Sequence, residues 1–184
     1  MFELLGNMAP GMVVVLLLRI IVPLTIFRWP LWAAVASLLI DALDCQIATA
    51  FGCSIPNYIL RDKYLDLYYL TIELAVSRKW ANKIASKAAL VLYIWRLAGM
   101  VIFHLTGEEK WLIIAPNIFE YFFLFIVLLQ FLGKETRSRF WLDSPKRLWR
   151  LLTFLFIIKT PQEIVLHSWK EPAQAFYSWI RNIF

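Results

Sequence analysis

DALDCQIATAFGCSIPNYILRDKYLD, running from Asp41 to Asp66, carries four of the chain's five aspartates in otherwise apolar surroundings. The break from Gly52 through Pro56 divides it into the end of one helix and the start of the next. Asp41 and Asp44 stand three apart, and Asp62 and Asp66 four apart, so each pair shares one face of its helix. A carboxylate at mid-membrane depth costs roughly 2.5–3.5 kcal/mol, so four approach about 10 kcal/mol before compensation. If the two helices pack face to face, the four carboxylates converge. Oxygen ligands gathered in that way suit Mg²⁺, Mn²⁺ or Ca²⁺.

The rest of the chain sets the environment of these groups. Hydrophobic residues make up 61% of the 184 positions and aromatic residues 16%, too apolar for a soluble domain. The expected fold is all-α, a polytopic membrane bundle of about six spans with short connections. Residues 1–10 lack the basic region of a cleavable signal, and Met12 to Phe27 reads as the first span instead. Apolar runs place helices near 11–28, 30–52, 57–77, 84–105, 111–132 and 147–168. Arg28-Trp29-Pro30, Ser77 to Lys87, Thr106 to Lys110 and Gly133 to Arg150 punctuate them. In the sixth span the clean run from Leu148 to Ile158 is interrupted by Lys159 and Pro161, so it either kinks or ends early. Residues 1–168 form the expected transmembrane domain. Residues 169–184, with Trp169, Phe176, Tyr177, Trp179 and Phe184 among polar residues, read as an interfacial helix. Trp29, Trp32, Trp80, Trp111, Trp141 and Trp149 fall at span ends, as interfacial anchors do. The net charge of +6 is a property of the loops, relevant to topology and anionic lipid and not to nucleic acid.

The aspartate spacing resembles a family signature. D-x2-D-G-x2-A-R-x8-G-x3-D-x3-D marks the CDP-alcohol phosphatidyltransferases, and Asp41, Asp44, Ala48, Asp62 and Asp66 fall in its register without insertion or deletion. Cys45 replaces its first glycine, Thr49 its arginine and Tyr58 its second glycine. Asn7, Arg19 and Pro23 near the start of the chain, and Arg96 in the fourth helix, add looser matches. The resemblance implies a divergent member with the fold of that family and a role in phospholipid metabolism. An alcohol hydroxyl would attack the phosphate of a CDP-linked donor and CMP would leave. One or two divalent cations, Mg²⁺ or Mn²⁺, would be held by Asp41, Asp44, Asp62 and Asp66, with Asp66 as general base. Arg96, Arg61 and Lys63 would bind an acceptor phosphate, and Ala48 and Thr49 would lie beside the donor. The three departures fall in the half of the motif that accommodates the cytidine. They widen the donor class to lipid-linked or nucleotide-linked diphosphates, and they open an alternative: a catalytically silent relative serving as a structural or assembly subunit. The enzyme goes with a homodimer among membrane lipids, the alternative with a larger membrane complex.

Other features have plainer readings. The aspartates can also pair with Arg19, Arg61, Lys63 and Arg96 simply to hold helices in register. Cys45 and Cys53 read as small core residues, and His104 and His167 as isolated packing or interfacial residues. Tyr64, Tyr68 and Tyr69 read as packing or interhelical hydrogen-bonding groups. Glu73 is either a neighbour of the aspartate face or a helix-end carboxylate, and Glu120 with Asn117 a second candidate to line the cavity. Cation transport has no second polar pathway visible in the other helices. With six spans, the first, third and fifth connections hold eleven Lys and Arg and the opposite side at most six. That bias puts Asn57 on the non-cytoplasmic side and Arg137 in the cytoplasm. The family resemblance puts the site on the cytoplasmic side.

Overall fold

The computed structural model describes the backbone of residues 10–50, 58–108, 110–133, 142 and 144–168; within these, the side chains of 10, 12, 45–50, 58–61 and 162–168 are not described. Among the described residues the chain is all-helical, with no strand. Helix α1 (Pro10–Leu24) passes through a 3₁₀ turn (Thr25–Phe27) into α2 (Pro30–Ala50). Then come α3 (Tyr58–Ser77), α4 (Lys83–Thr106), the short α5 (Lys110–Ile114), α6 (Ile118–Phe131) and α7 (Pro145–Ser168). Each expected helix has its counterpart. Asn57, Arg137, Cys53, Asn7, Trp141 and the tail 169–184 lie outside the described residues.

Local chemistry explains the boundaries. Helices α2 and α7 begin on proline, which fills a first-turn position where no N–H is needed. Asn82 caps α4, its side chain accepting from Ile84 N at 2.9 Å and Ala85 N at 3.1 Å. Gly107 closes the same helix in the left-handed conformation, at φ 72°. The expected helix 111–132 is broken at Pro116. That residue cannot donate to the Leu112 carbonyl, and it drives Ala115 away from helical geometry. Asn117 restarts the helix as the cap of α6: its Oδ1 accepts from Glu120 N at 3.4 Å, and its Nδ2 donates to Glu120 Oε2 at 3.0 Å. Helix α7 runs on through Pro161, so the sixth segment does not end early.

Helix α6 is the central post, touching α2, α3, α4 and α7. Its Phe119, Phe122 and Phe123 are fully buried, with Ile26, Ala34, Leu70 and Ala89 among the residues of the same core. Trp80 stacks on Phe123, ring centroids 5.6 Å apart, and is buried. It is therefore a core residue and not the interfacial anchor its position suggested. Small residues permit close approach: a Cβ at Gly99 would collide with Ala115 and lie 3.1 Å from the Trp111 carbonyl. Large apolar side chains also point outward, among them Leu17, Ile21, Val91, Leu105 and Ile157. Phe27, Trp29 and Trp32 are exposed around the α1–α2 turn, as are Phe131 at the end of α6 and Trp149 on the first turns of α7. Two helical stretches, Lys83–Thr106 and Lys110–Phe131, are long and apolar enough to cross a membrane by length and composition.

Candidate functional site

Helix α1 supplies the centre of the site. Arg19 is the only charged residue between Pro10 and Phe27, and it is buried at 6% exposure. Its Nη1 donates to Asp44 Oδ2 at 2.6 Å and to Asp62 Oδ1 at 2.6 Å. Its Nη2 donates to Asp66 Oδ1 at 2.7 Å and pairs with Asp41 Oδ1. Three of its N–H groups are thus hydrogen-bonded to carboxylates from two helices, and the fourth carboxylate, Asp41, is held as an ion pair outside hydrogen-bond geometry. A lysine, with three donors on one atom, cannot bridge them in this way. The aspartate faces therefore converge as their spacing predicts, around an arginine.

Lys63 completes the inner set. Its Nζ donates to Asp62 Oδ2 at 2.7 Å and to Asp66 Oδ2 at 3.1 Å, so both oxygens of each of these aspartates are engaged. Among the described side chains, four carboxylates meet two contacting cations, a formal charge of −2, and Arg96 adds its field at Asp66 from farther away. The site is open at one edge: the Asp41 side chain is 38% exposed, against 3% for Asp44. Oxygens of Asp41, Asp62 and Asp66 lie within 4.8 Å of one another. Opposed ligands on one ion stand twice a metal–oxygen distance apart, about 4.2 Å for Mg²⁺ and about 4.8 Å for Ca²⁺. One oxygen from each of the three could therefore reach a single divalent cation, but all four aspartates, Asp44 included, are paired with Arg19.

The remaining candidates are spread more widely. Arg96 is buried on α4, and its Nη1 donates to the carbonyls of Leu112 (3.2 Å) and Ala115 (2.8 Å). It thus replaces the donor that Pro116 withholds from Leu112, a task invisible to sequence spacing. Ala48 and Thr49 lie in the last turn of α2 and Arg61 in the first turn of α3, with Cys45 and Tyr58 on the same two helices; their side chains are outside the described set. Tyr68 Oη donates to the Ile20 carbonyl at 3.0 Å, tying α3 to α1. His104 Nδ1 lies 3.4 Å from Tyr64 Oη on the exposed side of α3 and α4. From Lys63 an apolar groove of about 160 Å³ runs between these helices, walled by Leu67, Leu97, Met100 and Phe103.

Behind the aspartates lies a second polar group. Glu73 is fully buried, so it is not a carboxylate reaching for the helix end. Glu120 is buried too, held by Asn117 and by Lys159 of α7, whose Nζ lies 3.6 Å from Glu120 Oε2. Lys159 also sits over the Tyr121 ring, 4.8 Å from its centroid. Arg19 stands out in the sequence as a loose match to the family and a possible partner of the aspartates, and Lys159 as a break in the sixth apolar run; Ser37 gives no signal. No family model, curated protein or solved structure matches this chain.

Proposed function

We propose that this chain is a multi-pass membrane protein with a six-helix transmembrane bundle, and that its aspartate site binds a divalent cation and transfers a phospho-group to an alcohol. The observation that carries the reading is the convergence of Asp41, Asp62 and Asp66 oxygens within 4.8 Å beside an exposed edge. The outward apolar side chains and the aromatic ring at one end support placement in a bilayer. Mg²⁺ or Mn²⁺, held by the triad, would neutralise charge building on a diphosphate leaving group.

The chain's own residues then divide the work. Asp66 accepts the proton of the acceptor hydroxyl as its oxygen bonds to phosphorus, and the bond from phosphorus to the leaving phosphate breaks. For that, Asp66 must release one of its two present cations; the 3.1 Å bond from Lys63 is the longer. Lys63, once released, faces both the site and the groove, where it can hold a phosphate oxygen of a lipid substrate. The groove gives the hydrocarbon part a dry wall. Arg19 and the cation compete for the same carboxylates, so Arg19 acts as a resident counter-ion.

The test is incubation of purified protein and Mn²⁺ with labelled CDP-diacylglycerol, then with other lipid diphosphates, and a panel of alcohols. Turnover lost in Asp66→Asn, with melting temperature retained, is the expected result. Absence of turnover across the panel, together with Mn²⁺ binding indifferent to Asp41→Asn/Asp62→Asn, would sink the enzyme. One observation favours the second reading, a catalytically silent subunit: Arg19 already pairs with all four aspartates. On that reading a native purification brings stoichiometric partners, and Asp66→Ala is tolerated.

A further inference from the structure

The helix directions gather the strongly basic connections at one end of the bundle. Lys79, just past α3, stands over the Phe27 ring at the end of α1, 5.6 Å from its centroid. Trp32 in the first turn of α2 meets Phe131 in the last turn of α6 edge-on, ring centroids 5.6 Å apart. Leu142 and Leu151, on either side of the start of α7, belong to the same core as Trp80. The connections that meet here hold eleven Lys and Arg against two acids, Glu135 and Asp143. The exposed Glu108, paired with Lys110, belongs to the opposite end.

At the α1–α2 turn an open groove of about 340 Å³ is walled by Thr25, Trp29, Trp32, Ala33 and Ala36. The face continues below it. Trp32, Ala36, Leu39 and Leu43 follow one another at spacings of four, three and four, and the three large side chains are exposed. At about 1.5 Å per residue this stripe descends roughly 16 Å, about half of a 30 Å hydrocarbon core and so the depth of one leaflet. Two cations stand at its head: the exposed Arg28, next to Trp29 in the chain, and Lys79 over Phe27. The groove is therefore basic at its mouth, aromatic at its neck and apolar along its length.

We propose that this groove holds one anionic phospholipid, its phosphate between Arg28 and Lys79 and one acyl chain along Trp32, Ala36, Leu39 and Leu43. A zwitterionic lipid would bring its own cation to a mouth that already has two, whereas a net anionic headgroup brings the complement alone. The indoles suit the level between, with an apolar face for the chain and an N–H for glycerol and carbonyl oxygens. A second copy of this chain is a poor occupant, because a two-fold contact through this face sets one basic end beside the other. The inference rests on the bilayer placement proposed for the chain and not on any chemistry at the aspartates. The lipid here is a resident and not a substrate.

The test uses the full chain in phosphatidylcholine vesicles with rising fractions of brominated phosphatidylglycerol or brominated phosphatidylcholine, whose acyl chains quench nearby tryptophans. Flotation after an alkaline wash comes first. A chain that does not float with the vesicles fails the bilayer placement itself, whereas for one that floats the quenching tests the groove alone. Wild type is expected to be quenched at several-fold lower fractions of the phosphatidylglycerol; two cations near an anionic headgroup bound this preference at roughly 30-fold. Arg28→Gln/Lys79→Gln should bring the two lipids level, with Lys110→Gln as the unchanged control from the opposite end. Trp29→Phe/Trp32→Phe should remove the selective part of the quenching. Equal quenching by both lipids in wild type overturns the proposal, and so does a preference that survives either double variant. Loss of the preference on adding glycerol phosphate at constant ionic strength would overturn the lipid in favour of a free phosphate.

Discussion

Replacing Arg19 with methionine separates the two tasks assigned to the aspartates. The change keeps an unbranched stem, shorter than that of arginine, and removes the charge, leaving four carboxylates against Lys63 as the remaining contacting cation among the described side chains. Breaking a buried ion network by removing one partner costs about 3–5 kcal/mol. For a chain of this size that is roughly 6–20 °C in melting temperature. A dication in the triad gains from the same change. At about 4 Å and an effective dielectric constant of about 20, a double charge and a guanidinium repel by about 8 kcal/mol. If the side chain swings aside and a quarter of that repulsion persists, about 2 kcal/mol remains, or roughly 30-fold in dissociation constant. Arg19→Met should therefore melt early in EDTA, recover in Mn²⁺, and bind Mn²⁺ more tightly than wild type by calorimetry. A variant that unfolds cooperatively yet binds Mn²⁺ no more tightly refutes the competition between arginine and metal.

Other perturbations address the frame around the site. Gly99→Ala forces α4 off the helix break at Ala115 and should cost about 1–3 kcal/mol, partly recovered by adding Ala115→Gly; thermal melts in detergent read both. Arg96→Gln should cost about 1.5–3 kcal/mol, and hydrogen exchange should rise at residues 112–119, where its guanidinium holds the interrupted backbone. For orientation, Asn57→Cys and Arg137→Cys, in a background of Cys45→Ser and Cys53→Ser, should label from opposite sides, with position 57 non-cytoplasmic. Labelling of position 57 from the cytoplasm alone would return the site to the side where CTP-derived donors are made.

Sequence periodicity sufficed where a single helix decides the matter. The doublets Asp41/Asp44 and Asp62/Asp66 are properties of one face each, and their convergence follows once α2 and α3 pack. Pro30 likewise announces the start of α2. What escaped depends on neighbours from distant helices. That Arg19 reaches all four carboxylates follows from the packing of α1 against both α2 and α3. Trp80 reads as an anchor by position, and only the apposition of α6 turns it inward onto Phe123. Arg96 looks like a phosphate ligand until the backbone gap made by Pro116 is seen across from it. Glu73 is ambiguous for the same reason, since its helix alone does not say what faces it.

On the proposed bilayer placement, the exposed aromatics at one end of the bundle would act as a depth gauge. Trp29, Trp32, Phe131 and Trp149 favour the headgroup layer, and Lys79 over the Phe27 ring belongs to the same rim. Asp66 lies eleven residues from Ser77, so in that placement the rim would hold it roughly 16 Å beneath the surface. Its distance from the opposite surface is then set by lipid and not by protein. In short-chain bilayers the carboxylates ride close to water, and in long-chain ones they sink. Membrane thickness would thereby become a control on how wet the aspartates are.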